Sequence, residues 1–441
     1  MRLDTVRWIA AVALIAALAF TPGRAQAAPF TLADALSRVE RAPVVTQAQQ
    51  KLRQTQAELS AARAQTGLRA DVSGTTSYVF AVPAPGTTPA PNLGLQVSAS
   101  LPVGPFSPQA VALKTAELNL EYFEVYLRLT KSDLSWRVVR GYGRVLVAEQ
   151  QRQQARLVLE LARAQLAAFE GQQRLGAATT IQVLNAQLAL GTAQQNLNQA
   201  EYNARDARLG LAGLLGLADL PGAVVNPASR VIPQPAASAI KTSPTVIFAR
   251  IQRDRARLAI DGAPPPGWPL IGVNLAYGGD GYAANLGFST KDFTAYASLS
   301  AQPLGSPIPP SGATISVTAS IPIWDGGASA AARQSAALTL EAAQAQLEQA
   351  TDDLSRQLEG ALRLAALDAE ALPASREAVG IAQRSLEIAG QRLKAGTATG
   401  LELLTAEVQL ANAEGALLAA ELRALEDVYQ IDAVLGVGGS S

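Results

Sequence analysis

Apolar residues recur along this chain with two different periods, one of two and one near three and a half. Leu93, Leu95, Val97, Ala99, Leu101 and Val103 alternate with Gly94, Gln96, Ser98, Ser100 and Pro102. Ala313, Ile315, Val317, Ala319, Ile321 and Ile323 alternate with Thr314, Ser316, Thr318, Ser320 and Pro322. Val72, Thr76, Tyr78 and Phe80 share one face of a third segment, and Ile271, Val273, Leu275 and Tyr277 share one face of a fourth. Side chains of a strand point alternately to its two faces, so this pattern over about ten residues predicts tilted barrel strands. Leu95, Val97, Ile315 and Val317 are expected to face lipid, and Gln96, Ser98, Ser316 and Thr318 to face water. Half-buried strands of a soluble sheet would show the same alternation. Gly278-Gly279-Asp280-Gly281 reads as a tight turn, with an inserted hairpin after it over 282–289 and 293–300 that either joins the barrel, extends outside it or plugs its mouth.

The second period belongs to helices. Val183, Ala186, Leu190, Ala193, Leu197, Ala200, Ala204, Ala207, Leu211 and Leu214 step by three and four. So do Leu403, Ala406, Leu410, Ala413, Leu417, Ala420, Ala424, Asp427, Ile431 and Val434, with Asp427 the one break in the stripe. A seven-residue repeat makes neighbouring helices supercoil, and its many alanines let backbones approach closely. An ordinary two-helix coiled coil would carry such a stripe too. Upstream of each stripe lies a long helical stretch, 106–174 and 328–394, each on the order of 100 Å at 1.5 Å per residue. Pro373 is expected to kink or interrupt the second. A helix over 32–66 and the returning helix over 180–216 together match the length of the first long helix, as two short helices stacked end to end in a tube wall would.

These elements occur twice. Placing Gly176 on Gly396, an offset of 220 residues, pairs the segments without a gap as far as Gly216 and Gly436. The chain therefore divides into two structural repeats, 28–220 and 236–441, joined by a linker over 221–235 that runs from Pro221 to Pro235.

The N-terminus sets the compartment. Arg2 and Arg7 precede an apolar run from Trp8 to Phe20, and Ala25-Gln26-Ala27 offers a small-residue cleavage site, so 1–27 reads as a secretory signal peptide. No later stretch is apolar enough for a membrane helix, which leaves a β-barrel as the means of spanning a bilayer. The chain has no cysteine and no histidine, which removes disulfides, thiolate metal sites and the commonest general base. An enzyme is not expected, nor any cofactor or metal. Charge is balanced, 36 basic groups against 36 acidic, so the basic excess of a nucleic-acid binder is missing.

The order of elements, the duplication and several local motifs resemble the TolC family of outer-membrane efflux channels. Phe30-Thr31-Leu32-Ala33-Asp34-Ala35-Leu36 resembles the family's mature N-terminal opening. Ser320-Ile321-Pro322-Ile323-Trp324-Asp325-Gly326-Gly327 resembles its exit from barrel to helix. Arg174-Leu175-Gly176-Ala177-Ala178-Thr179 and Leu393-Lys394-Ala395-Gly396-Thr397-Ala398-Thr399 resemble the turns of its periplasmic tip. The resemblance implies an α+β membrane protein, a homotrimer with a long antiparallel α-helical barrel in the periplasm and one transmembrane β-barrel. Each subunit would supply four strands to a twelve-stranded barrel in outer-membrane lipid. The assembly would serve as the outer-membrane channel of a tripartite efflux or type I secretion system, with a periplasmic adaptor and an inner-membrane pump as partners. The alternative is a non-conducting spacer or tether between envelope layers.

Site residues follow from the same resemblance. The tip turns around Gly176, Thr179, Gly396 and Thr399 would dock the adaptor; as plain turns they need only a helix-ending glycine and a capping threonine. The family's gate carries aspartates six residues after the tip glycine in both repeats and nine after in the second. Gln182, Glu402 and Thr405 stand at those positions here, so one carboxylate remains, and Ala398 replaces the arginine that locks the family's tip.

Overall fold

A computed structural model describes residues 29–77, 92–227, 237–263, 265, 268–279, 282–301, 312–321 and 326–437. Of the features expected from the sequence, the signal peptide over 1–27, Tyr78 and Phe80 of the third strand, the part of the linker over 228–235, Asp280 and Gly281 of the turn, and 322–325 of the barrel exit lie outside the described residues. In chain order the elements are α1 (Leu32–Val39), α2 (Pro43–Gln65), β1 (Arg69–Ser77), β2 (Asn92–Pro102), α3 (Pro108–Arg174) and α4 (Thr180–Leu214). Then come α5 (Ala237–Thr242), α6 (Pro244–Asp261), β3 (Leu270–Gly279), β4 (Tyr282–Ser289), β5 (Thr294–Ala301), β6 (Gly312–Ser320), α7 (Ala328–Lys394) and α8 (Gly400–Leu435). Both long helices hold 67 residues.

Two departures from the expected helices have local causes. The N-terminal helix is two helices, because the chain turns at 40–42 and restarts at Pro43, a residue suited to a helix's first turn. Helix α7 runs through Pro373 without interruption. Pro373 is exposed, so the backbone carbonyl that loses its partner there is on a solvated face.

The chain divides into two compact units, and each draws on both repeats. The first comprises Met1–Pro43, Leu134–Pro233 and Arg363–Gln430. It is a layer of helices whose core is thin and alanine-rich. Val183, Ala186, Ala193, Ala200, Ala204 and Leu211 of α4 are buried, as the seven-residue stripe predicts. Ala193 packs with Leu159 and Ala162 of α3, flanked by Leu190 and Leu197. On its other side α3 meets α8, where Gln154 Nε2 donates to the Ala411 carbonyl at 2.6 Å. Helix α8 in turn meets α7, where Arg376 lies 3.8 Å from Glu421. The order across the layer is therefore α4, α3, α8, α7.

The start of the chain is fastened to this layer. Thr31 caps α1 through a reciprocal bond with Asp34, whose carboxyl the two Thr31 hydrogen bonds hold below the usual range. Phe30 then pairs with Val224 in a short parallel bridge. Tyr142 of α3 is buried beneath both strands of that bridge. Its hydroxyl lies 2.6 Å from the Val225 carbonyl and 3.0 Å from the Phe30 carbonyl, and accepts from the Val225 amide at 3.1 Å. Burial pushes the phenol's pKa up. Tyr142→Phe leaves these backbone groups without a buried partner and is expected to cost about 1–3 kcal/mol. Thermal denaturation measures the loss, and limited proteolysis should cut first between 29 and 31.

The second unit comprises Val44–Asp133, Gln234–Leu362 and Ile431–Ser441. Its helical core is Val125 of α3 with Ile247 and Ile251 of α6, backed by Leu118, Tyr122 and Phe248. Glu121 and Arg250 form an ion pair on the same contact, and Arg255 donates to Asn119 at 2.7 Å. The unit also holds one antiparallel sheet of six strands in the order β1-β2-β5-β4-β3-β6. Where the family resemblance implies four strands from each chain, the described residues hold six, which corrects that expectation. The additional pair is the hairpin β4–β5, which lies inside the sheet between β2 and β3.

Candidate functional site

The pairing register gives the sheet two unlike faces. Val72, Val97, Leu299, Ala284, Tyr277 and Ala313 align in one row across all six strands. Ala70, Ala99, Ala297, Leu286, Leu275 and Ile315 align in the next row on the same face. Between them, on the opposite face, runs Asp71, Ser98, Ser298, Asn285, Ala276 and Thr314. Shifting any strand by one residue would exchange the faces, so the register is fixed by the pattern itself. Leu95, Val97, Ile315 and Val317 all stand on the apolar face and are exposed, Ile315 to 72%. Gln96, Ser98, Ser316 and Thr318 stand on the polar face.

Aromatic rings mark both ends of the sheet. Tyr277 and Tyr282 lie with ring centroids 6.0 Å apart at one end. At the other, Phe106 lies 6.0 Å from Trp268 and 5.5 Å from Phe293, with 6.3 Å between Trp268 and Phe293. From Trp268 to Tyr277 is about 30 Å along the strand at 3.3 Å per residue, or roughly 23 Å in height at a tilt of about 40°. Outer-membrane barrels carry an apolar band about 25 Å tall between aromatic girdles. The cluster at the lower end is invisible in the sequence, because its three residues lie in three separate turns.

The helix turns of the first unit are built alike. Gly176 has φ +73° and Gly396 has φ +72°, the left-handed conformation that ends a helix and that glycine adopts without strain. The Ala177 amide donates to the Gln172 carbonyl and the Thr397 amide to the Arg392 carbonyl, both at 2.8 Å. Thr179 caps α4 and Thr399 caps α8, each accepting at 3.3 Å from the amide three residues on.

The side chains of the two turns differ. Gln182 returns its amide oxygen to the Thr179 amide at 2.7 Å, so it completes a capping box. Thr405 donates its hydroxyl to the Leu401 carbonyl at 2.7 Å. Glu402 lies 3.6 Å from Arg392, which also donates to the Thr397 carbonyl at 3.4 Å. Arg392 has no place in the expected gate, yet it is the charged partner of the one carboxylate there. Its signal in the sequence is the offset itself, since uncharged Gln172 is its equivalent in the first repeat.

The outer helices of the layer each carry a second apolar ladder. Ile181, Leu188, Tyr202 and Leu209 of α4 are exposed, as are Leu367, Ile381 and Ile388 of α7. They stand at multiples of seven residues. Each ladder sits two residues, about 200° round the helix, from that helix's buried stripe. Helices α4 and α7 thus have apolar faces on both sides.

Among the described residues no helix is long and apolar enough to cross a membrane, and no cluster of three or more acidic residues is placed to hold a metal. The family model for outer membrane efflux proteins matches residues 37–217 and 238–437, and the chain belongs to that family. No curated relative matches its sequence. Among solved structures it is similar to the CmeC outer membrane channel of Campylobacter jejuni, with a TM-score of 0.70 and 14% identity over 92% of this chain and 86% of that one. It is also similar to the outer membrane protein VceC of Vibrio cholerae, with a TM-score of 0.66 and 16% identity over 93% of this chain and 96% of that one. The open state of the MtrE outer membrane channel of Neisseria gonorrhoeae gives a TM-score of 0.66 and 18% identity over 92% of this chain and 88% of that one. At these identities the likeness is one of fold: an α+β chain with long helices and an antiparallel strand domain.

Proposed function

We propose that three copies of this chain form an outer-membrane channel that carries small molecules or proteins out from an inner-membrane pump through a periplasmic adaptor. Repeats 28–220 and 236–441, joined by 221–235, build its wall, and no catalytic step is involved. The observation that carries this reading is the six-strand register, which sorts apolar residues to one face and polar residues to the other. One chain cannot close such a sheet around water, and β1 and β6 are left as its edges. The exposed ladders on α4 and α7 support the same conclusion, because they would meet between copies as α4 of one against α7 of the next. Leu95, Val97, Ile315 and Val317 then face lipid, and the turns at Gly176, Thr179, Gly396 and Thr399 form the periplasmic tip that docks the adaptor.

Single-channel recording on the purified trimer in a planar bilayer tests the reading. Steps of ionic current are expected; a stable trimer without them is a tether. The gate makes a finer prediction. Gln182 and Thr405 carry no charge, so the ring at the tip is set by Glu402 and its partner Arg392. Glu402→Gln leaves three unpaired arginines and shifts selectivity toward anions. Arg392→Gln leaves three unpaired carboxylates and shifts it toward cations. Neither should unfold the protein, since an exposed pair contributes about 0–1 kcal/mol. Both shifts shrink in 1 M salt, where the Debye length is about 3 Å. Reversal potentials equal to wild type in both variants would remove Glu402 from the gate.

A further inference from the structure

We infer that residues 282–301 form a barrel hairpin that widens the outer-membrane pore, so that it passes bulkier solutes than a twelve-stranded barrel would. The inference rests on the trimeric channel proposed above. Three copies of a six-stranded sheet make a barrel of 18 strands. With strands about 4.8 Å apart and tilted by about 40°, the backbone cylinder is roughly 36 Å across, against roughly 24 Å for twelve strands.

Four observations place the hairpin in the wall and not in the lumen or outside. First, its pairing is complete. Strand β5 pairs with β2 from Leu95↔Ala301 to Pro102↔Thr294, and β4 pairs with β3 from Gly272↔Ser289 to Gly279↔Tyr282. Second, its faces agree with those of its neighbours. Leu286, Phe288 and Leu299 continue the apolar face, and Asn285, Ser298 and Ser300 continue the polar one. A plug in water would have no use for an apolar face. Third, an inserted pair keeps every neighbour antiparallel and the strand number even, whereas a single inserted strand would not.

Fourth, the hairpin is fastened at its inner turn to both flanking strands. The Val103 amide donates to the Phe293 carbonyl at 2.6 Å, and the Ile271 amide donates to Thr290 Oγ1 at 2.7 Å. Thr290 Oγ1 in turn donates to the Pro269 carbonyl at 2.9 Å. Phe293 adopts φ +50°, a conformation a bulky residue takes only when its surroundings hold it, and its ring is buried between Phe106 and Trp268. Within the hairpin the Tyr296 ring covers Gly287 on the polar face, filling the gap left by the missing side chain.

The chain has no cysteine, so single cysteines report cleanly on position. Ser298→Cys and Asn285→Cys should react with a membrane-impermeant maleimide in the assembled outer-membrane protein, and Leu286→Cys and Leu299→Cys should not. Labelling at 286 and 299 would place the hairpin in water and overturn the inference. The width is read by adding polyethylene glycols of graded size to the outer side of the bilayer and finding the largest that still lowers the current. Deleting 282–301 lets β2 and β3 meet as antiparallel neighbours, and the size limit should then fall by about a third. An unchanged limit, or a rise in current as from a removed plug, overturns the inference. A protein that runs as a monomer in detergent overturns the channel reading, and the hairpin reading with it. A trimer that carries no current refutes the channel alone, because the labelling pattern still decides the hairpin.

Discussion

Asp427→Asn is expected to stabilise the protein at neutral pH and to leave it unchanged in acid. Asp427 is 8% exposed on the buried stripe of α8, and its Oδ2 has no hydrogen-bond partner. Burial, then the charge and hydrogen bond of Asp368 on α7, then the charge of Glu426, push its pKa from 3.8 up to about 6. Glu426 is raised as well, chiefly by burial, although Arg140, Arg144 and Arg423 oppose the shift. The sign follows from proton binding. Between about pH 4 and 6 the folded state holds a proton that the unfolded chain has already lost. Stability therefore falls as pH rises through that window, and the full penalty persists above it. A shift of about two units corresponds to at most about 3 kcal/mol, and partial solvation of the pair reduces this to about 1–2 kcal/mol. Asparagine cannot ionise and can donate to Asp368. Thermal melts at pH 7.5 should show the variant several degrees above wild type, and the two should converge below pH 4. A variant less stable than wild type at pH 7.5 would mean that the Asp427 charge is bound to a cation in the assembly.

The repeat in the sequence already marks this position as foreign. Its equivalent in α4 is Ala207, and every other member of the α8 stripe is apolar. What the sequence does not contain is the partner, because Asp368 reaches Asp427 only when α7 packs on α8. The same division holds elsewhere. Helix and strand identities were legible because a period of three and a half or of two is written within one segment, and the buried face of α4 follows from its own residues. The strands were legible as a hairpin over 282–289 and 293–300, one residue off the observed second strand, yet their position was not. Pairing β5 with β2 joins residues some two hundred positions apart, and Ala, Ser and Gly alternate too weakly to choose among neighbours. Pro43 was a readable break that the surrounding helical composition masked. Pro373 was readable as a break and is none, since whether a proline interrupts a helix depends on where the freed carbonyl points. At the two helix turns around 176 and 396, the glycines were legible from their duplication, whereas the charge balance at the second depends on Arg392 folding back over Glu402.

Gly436→Ala should be the more damaging of two equivalent substitutions, and Pro244→Ala should rescue part of the loss. Gly216 ends α4 with φ +69° and Gly436 ends α8 with φ +65°, and each lies against the proline that opens another helix. A Cβ at Gly216 would stand 3.2 Å from Pro43 Cδ, a tight contact that a small ring movement relieves. A Cβ at Gly436 would stand 2.3 Å from both Pro244 Cδ and Cγ, closer than packed atoms can come. The positive φ alone costs an alanine about 1–2 kcal/mol, and forcing the proline aside adds about 1–3 kcal/mol. Gly216→Ala is expected near the lower sum and Gly436→Ala near the upper. Pro244 cannot shift freely, because Ser243 beside it donates to the Val434 carbonyl at 3.0 Å and ties the start of α6 to the end of α8. In the double variant Gly436→Ala with Pro244→Ala the ring is gone, so the steric part of the penalty should vanish and the conformational part remain. A cycle of the four proteins, read by thermal denaturation in detergent, isolates the coupling between 436 and 244. A coupling near zero would show that the end of α8 is not seated on Pro244.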